Sequence, residues 1–172
     1  ILVATYGRGL NIIDESEGNN FKFIGKDNFL KSFKEDCFDV RRISVTAKGV
    51  VILSTNGGIV TYSDSYVNPS KIRFYYSQHV QDDEASLLSS EVMQTYISRS
   101  GKIFVSTRGG GVQTIKSGNL LQDNLTFEKT HGAESDEGTI QSFVDDGKGH
   151  IWFIRESTIN KYDIRNNNLE IF

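Results

Sequence analysis

One phrase occurs three times in this chain. It reads "VATYGRGL" at Val3 to Leu10, "LSTNGGIV" at Leu53 to Val60 and "VSTRGGGV" at Val105 to Val112. Aligned on the threonine before each glycine cluster, Thr5, Thr55 and Thr107 stand 50 and 52 residues apart. A fixed period of that size demands a set of like units, each too small to bury its own apolar faces and each leaning on the next. A fourth, decayed copy is "HIWFIRESTI" (His150 to Ile159), in which Arg155 takes the threonine position and the glycines are gone.

The agreement extends beyond the glycines. A short apolar run precedes each cluster ("ILVAT", "VILST", "IFVST", "IWFIR") and a second follows it ("LNIID", "IVTYS", "VQTIK", "INKYD"). A polar turn leads to a third run, and a longer polar connector leads to a fourth: "VRRISVT", "VMQTYIS", "IQSFVDD". Runs of this length, rich in β-branched and aromatic residues and punctuated by 16 glycines, read as strands. No stretch shows a sustained helical period, although "GKDNFLKSFKEDCF" has room for a helical turn. Four short strands per repeat predict an all-β chain of antiparallel β-propeller blades. The blades fall at about 1–30 (lacking its first strand), 40–77, 92–130 and 140–172. With the strands lettered A to D from the axis outwards, the chain opens in strand B of one blade and closes on strand D of a fourth. The expectation is an arc of a larger, seven-bladed ring.

The glycine phrase is therefore a turn between strands B and C. A phosphate loop would have to run into a helix, so that its amides and dipole face the phosphate; "TRGGGVQTIK" runs into another strand. Gly7, Gly9, Gly57, Gly58, Gly109, Gly110 and Gly111 are assigned as turn residues, with at least one positive φ among Gly109 to Gly111. Strand direction puts the B–C turns on the same face as the long D–A connectors, Gly25 to Asp39, Ser77 to Ser90 and Thr130 to Thr139. This is the face where a propeller is concave. Tyr6, Arg8, Asn56, Arg108 and Arg155 are the candidate ligand contacts on it, with Arg a planar donor fork and Asn both donor and acceptor. Arg42, Gln94 and Gln141, at or near equivalent places of three A strands, are candidates for a polar channel lining. Phe29 and Phe33 in the first connector are candidates to stack on a sugar ring. Each of these also has a plain structural reading, as a solvated turn residue or a blade-to-blade contact.

Other chemistries find little support. His79, His131 and His150 are scattered, so no metal or other cofactor is expected. The acidic runs Asp82 to Glu84 and Glu134 to Glu137 read as solvated loop charge, and Asp145 to Gly149 as an A–B turn. Cys37, the single cysteine, reads as packed rather than reactive. The net charge of −3 is interspersed, which argues against a nucleic-acid partner. No nucleophile stands beside an evident base, and no run has the length of a membrane span.

The stretches "ISRSGKIFVSTRGGGV" and "IQSFVDDGKGHIWFI" resemble the two-component regulator propeller repeat, and tandem copies cover nearly the whole chain. The chain departs from that pattern in having Trp only at Trp152 and in the decayed turn "RESTI". The resemblance implies the periplasmic sensor region of an inner-membrane-anchored hybrid histidine kinase, homodimeric at full length and responsive to oligosaccharides. It further implies a ligand-binding, non-enzymatic segment whose partners are an oligosaccharide and the remaining blades of its own chain. A protein-interaction scaffold and, less favoured, a propeller lyase or glycosidase are the alternatives.

Overall fold

The computed structural model describes residues 1–14, 22–25, 27, 30–65, 68–130, 132 and 139–172, and their side chains apart from those of Asp14, Lys22, Phe23, Ile24 and Gln141. The strands form four antiparallel sheets, one per repeat. The first holds β1 (Leu2–Thr5), β2 (Gly9–Asp14) and β3 (Lys22–Ile24). The second holds β4 (Val40–Val45), β5 (Val50–Thr55), β6 (Gly58–Ser63) and β7 (Tyr75–Ser77). The third holds β8 (Val92–Ile97), β9 (Ile103–Thr107), β10 (Gly111–Ile115) and β11 (Phe127–Lys129). The fourth holds β12 (Ile140–Asp145), β13 (His150–Arg155), β14 (Thr158–Asp163) and β15 (Asn168–Ile171). Each sheet is hydrogen-bonded in chain order, and the inner strands β1, β4, β8 and β12 pack in succession. These are consecutive blades of a β-propeller. Among the described residues of the first connector, a 3-10 turn forms at Glu35–Cys37.

The core consists of three layers, one between each pair of blades. Leu10 and Ile12 of the first blade meet Val51, Leu53, Val60 and Tyr62 of the second, with Leu30, Phe33 and Cys37 of the connector closing the layer. Ile52 and Ile59 turn the other way and meet Leu87, Val92, Val105 and Phe127. Phe104 and Val112 meet Ile140, Phe143, Ile151, Phe153 and Tyr162. This explains why "VVIL" in β5 is apolar without alternation: both faces of a middle strand are covered. Hydroxyls stitch the layers near the axis. The Ser44 hydroxyl donates to the Thr95 carbonyl (3.0 Å), Ser54 to the Thr95 hydroxyl (3.2 Å) and Ser106 to the Ile140 carbonyl (2.9 Å).

The turns follow one plan. Thr5, Thr55 and Thr107 stand opposite Gly9, Gly58 and Gly111 across the hairpin. The Thr5 hydroxyl donates to the Gly9 carbonyl (2.6 Å), and that of Thr55 to the Gly58 carbonyl (2.7 Å). Gly109 and Gly111 have φ of +70° and +73°, the left-handed region expected of this turn. Gly58 (φ +117°) is restricted twice, because a Cβ there would lie 2.2 Å from the Ser77 carbonyl oxygen. The fourth blade solves the same problem without glycine. Glu156 takes the positive φ (+52°), and Thr158 donates its hydroxyl back to the Arg155 carbonyl (2.9 Å).

Candidate functional site

The B–C turns and D–A connectors share one face, and they are clasped together. The amide of Asn56 donates to the Asp39 carbonyl (3.2 Å), and the amide of Arg108 to the Glu91 carbonyl (2.9 Å), the equivalent pair one blade on. Asn56 spends its side chain on the same clasp, accepting from the Asp39 amide (3.0 Å). Arg108 pairs through Nε with Glu91 (2.9 Å). The Glu91 carboxylate also approaches Arg41 at 3.8 Å. Arg41 donates onward to the Val92 carbonyl (3.3 Å) and reaches the Met93 sulfur at 3.1 Å. Arg8 pairs with Asp27 at 3.5 Å, both largely in solvent, and Tyr6 is 82% exposed. Arg8 and Arg108 therefore meet acids, Asp27 in the first connector and Glu91 just after the second.

The A-strand candidates separate. Arg42 is exposed, opposite Ser54, and Gln94 sits at the same register position opposite Ser106. Gln94 is only 3% exposed, with no partner for its Oε1 among the described residues, so it belongs to the blade interface rather than to a wet channel. A β-bulge interrupts each A strand: between Val40 and Arg42, between Val92 and Gln94, and between Ile140 and Phe143. Counting through it puts Ser142 at the position of Arg42 and Gln94, while Gln141 matches Arg41 and Met93. Arg155 ends β13 in the threonine position, half-buried, with Nη1 unpartnered among the described residues. Phe33 corrects the stacking expectation. It is 4% exposed, edge-on to Phe74 (5.1 Å between centroids) and stacked with Phe38 (6.1 Å), because the connector acts as a lid on the first core layer. Phe29, His131, Glu134 to Glu137 and the side chain of Gln141 fall outside the described residues. His79 is tied through Nδ1 to the Leu87 carbonyl (2.6 Å), and among the described residues no three His, Cys, Asp or Glu side chains cluster as metal ligands.

Sequence reasoning overlooked a pocket. A cavity of about 390 Å³ opens beside this face, lined by Lys34, Phe74, Tyr76, Gln78, Asp123 and Asn124. Tyr76 is its centre. The phenol donates to the Ser32 carbonyl and accepts from the Lys34 amide, both at 3.2 Å, and the Lys34 ammonium lies 4.4 Å above the ring. Burial pushes the phenol up to about 12. The Tyr76 amide donates to Asp123 (2.8 Å), and Gln78 donates to Asp36 (3.1 Å) and to the Gly57 carbonyl (2.8 Å). An aromatic ring ringed by carboxylate, amide and ammonium groups suits a hydroxyl-rich ligand. The pocket draws on two blades and a connector, so only the assembled repeat reveals it.

Comparison with known proteins agrees with the architecture. No family model matches the sequence, and no curated protein does. Among solved structures, the extracellular domain of a hybrid two-component system, BT3049 of B. thetaiotaomicron, superposes with a TM-score of 0.71 at 16% identity. The match covers 99% of this chain and 23% of that one. Likeness at this identity is likeness of fold. No helix among the described residues is long and apolar enough to cross a membrane.

Proposed function

We propose that this chain is part of the sensor region of a membrane-anchored two-component signalling protein, and that it binds a carbohydrate on its connector side without turning it over. The observation that carries the reading is the end-to-end likeness of these blades to the extracellular domain of a hybrid two-component system. The Tyr76 pocket supports the choice of ligand, since it sets aromatic side chains among a carboxylate, amides and an ammonium group. Tyr6, Arg8, Arg42 and Arg108 border the same side and extend the surface a longer glycan would touch. The remaining blades of the ring and a second copy of the full-length protein are the proposed partners, and signalling passes to the membrane by a shift between blades.

Titration with a panel of neutral and acidic oligosaccharides tests this, read as binding heat and as product formed. Binding without product is expected, and Tyr76→Ala should weaken it at least tenfold, about 1.4 kcal/mol. Product formation would replace the sensor with a propeller lyase or glycosidase. Absence of binding by the complete ring would end the carbohydrate reading.

A further inference from the structure

On the opposite face, between the second and third blades, lies a larger cavity of about 690 Å³. Its floor is aliphatic, formed by Val50, Ile97, Ile103, Ile115, Leu120 and Leu121. Several of these keep part of their surface in solvent. Lys48 also lines it, and among the described residues no Asp or Glu does; Arg99 and Lys102 border it but turn their charged ends to the next junction, and the Asp64 carboxylate is turned against Gly49.

The cavity exists because one blade departs from the plan of the next. Strand register makes Ala47 and Val50 of the second blade equivalent to Arg99 and Lys102 of the third. At the junction of blades three and four, those long side chains span the gap. The Arg99 guanidinium rests against Gly147, and the Lys102 ammonium lies 5.8 Å from the Phe104 ring centroid and 5.9 Å from that of Tyr162. At the junction of blades two and three, the short Ala47 and Val50 leave the gap open. The long C–D connector of the third blade then walls it, held by the Thr61 hydroxyl donating to the Leu120 carbonyl (2.6 Å).

The polar groups define the occupant. The Thr46, Ser98 and Ser117 hydroxyls already accept from the amides of Val50, Lys102 and Thr126. Asn119 spends its Oδ1 on the Leu121 amide, which leaves its Nδ2 as a donor, and the exposed Lys48 lines the same cavity. Lys48 and the Asn119 Nδ2 are donors at the rim, and the floor is apolar. We propose that this inter-blade cleft binds a small anionic amphiphile, its aliphatic or ring body on Val50, Ile103, Ile115 and Leu120 and its acidic head at Lys48. The site lies on the face away from the carbohydrate surface and is independent of it.

The test uses 8-anilinonaphthalene-1-sulfonate as the fluorescent probe and octanoate as its competitor. Expected are saturable enhancement, displacement by octanoate, and loss of that displaceable fraction in Ala47→Arg/Val50→Lys, which rebuilds the closed junction of blades three and four. Lys48→Glu, on an exposed turn, should weaken octanoate roughly fivefold or more, and it carries the test alone if circular dichroism shows the double variant unfolded. Octanoate that fails to displace the probe, or displaceable binding unchanged in the folded double variant or in Lys48→Glu, would overturn the proposal.

Discussion

The outer face of the second blade and the outer face of the fourth are built on the same register, yet they end in opposite surroundings. Ser44, Ile52, Ser54 and Ile59 of the second lie against the third blade, and the last three are at most 1% exposed. Their counterparts in the fourth are Val144, Trp152, Ile154 and Ile159. Val144 is 60% exposed, Ile154 59% and Ile159 50%. Trp152 stacks on Phe172, at 5.9 Å between centroids, with the Lys161 ammonium 5.9 Å from its ring centroid. Where the second blade has hydrogen-bonding serines, the fourth has Val and Ile. An exposed apolar face of this extent is an interface in character. The equivalent positions are buried between the inner blades, and a further blade is the proposed occupant.

The largest expected contrast is between Ile59→Ala and Ile159→Ala. The first opens a cavity in a filled layer and should cost about 2–5 kcal/mol. The second should cost less than about 1 kcal/mol in this chain, with both read by urea denaturation. Equal costs would mean that the fourth face is already covered. Gly111→Val forces a β-branched residue to φ +73° and should cost about 1–3 kcal/mol. Thr158→Val, at the matching position of the fourth blade, loses two hydroxyl bonds, one donated to the Arg155 carbonyl and one accepted from Asn160 Nδ2, about 1–2 kcal/mol together. Exchange between the faces sharpens the contrast. Ser54→Ile should overpack the second junction by about 1–3 kcal/mol. Ile154→Ser should leave stability nearly unchanged and reduce self-association, measured by light scattering.

The smallest effect is a pH response at the edge of the fourth blade. Burial alone would raise the Asp146 carboxyl. Bonds from the Lys148 amide, the His150 ring and amide and Trp152 Nε1 outweigh it and hold the group below the usual carboxylate range. A depressed carboxylate contributes stability that is fully present above its unfolded value of about 4 and is lost as the pH falls toward the folded value. Trp152 is the single tryptophan, so its emission reports this directly. The emission should change as the pH falls below about 4, and Asp146→Asn should remove that acid-side change. Cys37 needs no acid to stay silent. Burial raises its thiol to about 11, so thiol reagents at pH 8 should modify it only as the chain unfolds.

Repetition made the fold legible. The Thr–Gly phrase fixes the B–C turn by its φ requirement, and strands covered on both faces carry unbroken apolar runs. The candidate surface was less legible, for three physical reasons. A bulge in each A strand shifts the count by one, which hid Arg41 behind Arg42 and Ser142 behind Gln141. The connector carries core residues, so Phe33 reads as a free aromatic until the first layer is assembled. The Arg108–Glu91 pair and the Tyr76 pocket join segments far apart in the chain, and no local pattern marks them. The open cleft between blades two and three lay in the alignment all along, as Ala47 and Val50 against Arg99 and Lys102, but its meaning depends on knowing which residues reach the next blade.

The central claim is that these four sheets are consecutive blades whose last face is a blade interface. Ile154→Cys measures it directly, through the labelling rate of that thiol in this chain and in the full-length protein, read by peptide mass. At 59% exposure the thiol should label readily in this chain, and burial by a following blade should slow it by at least about tenfold at full length. Equal rates in the two proteins would contradict the account.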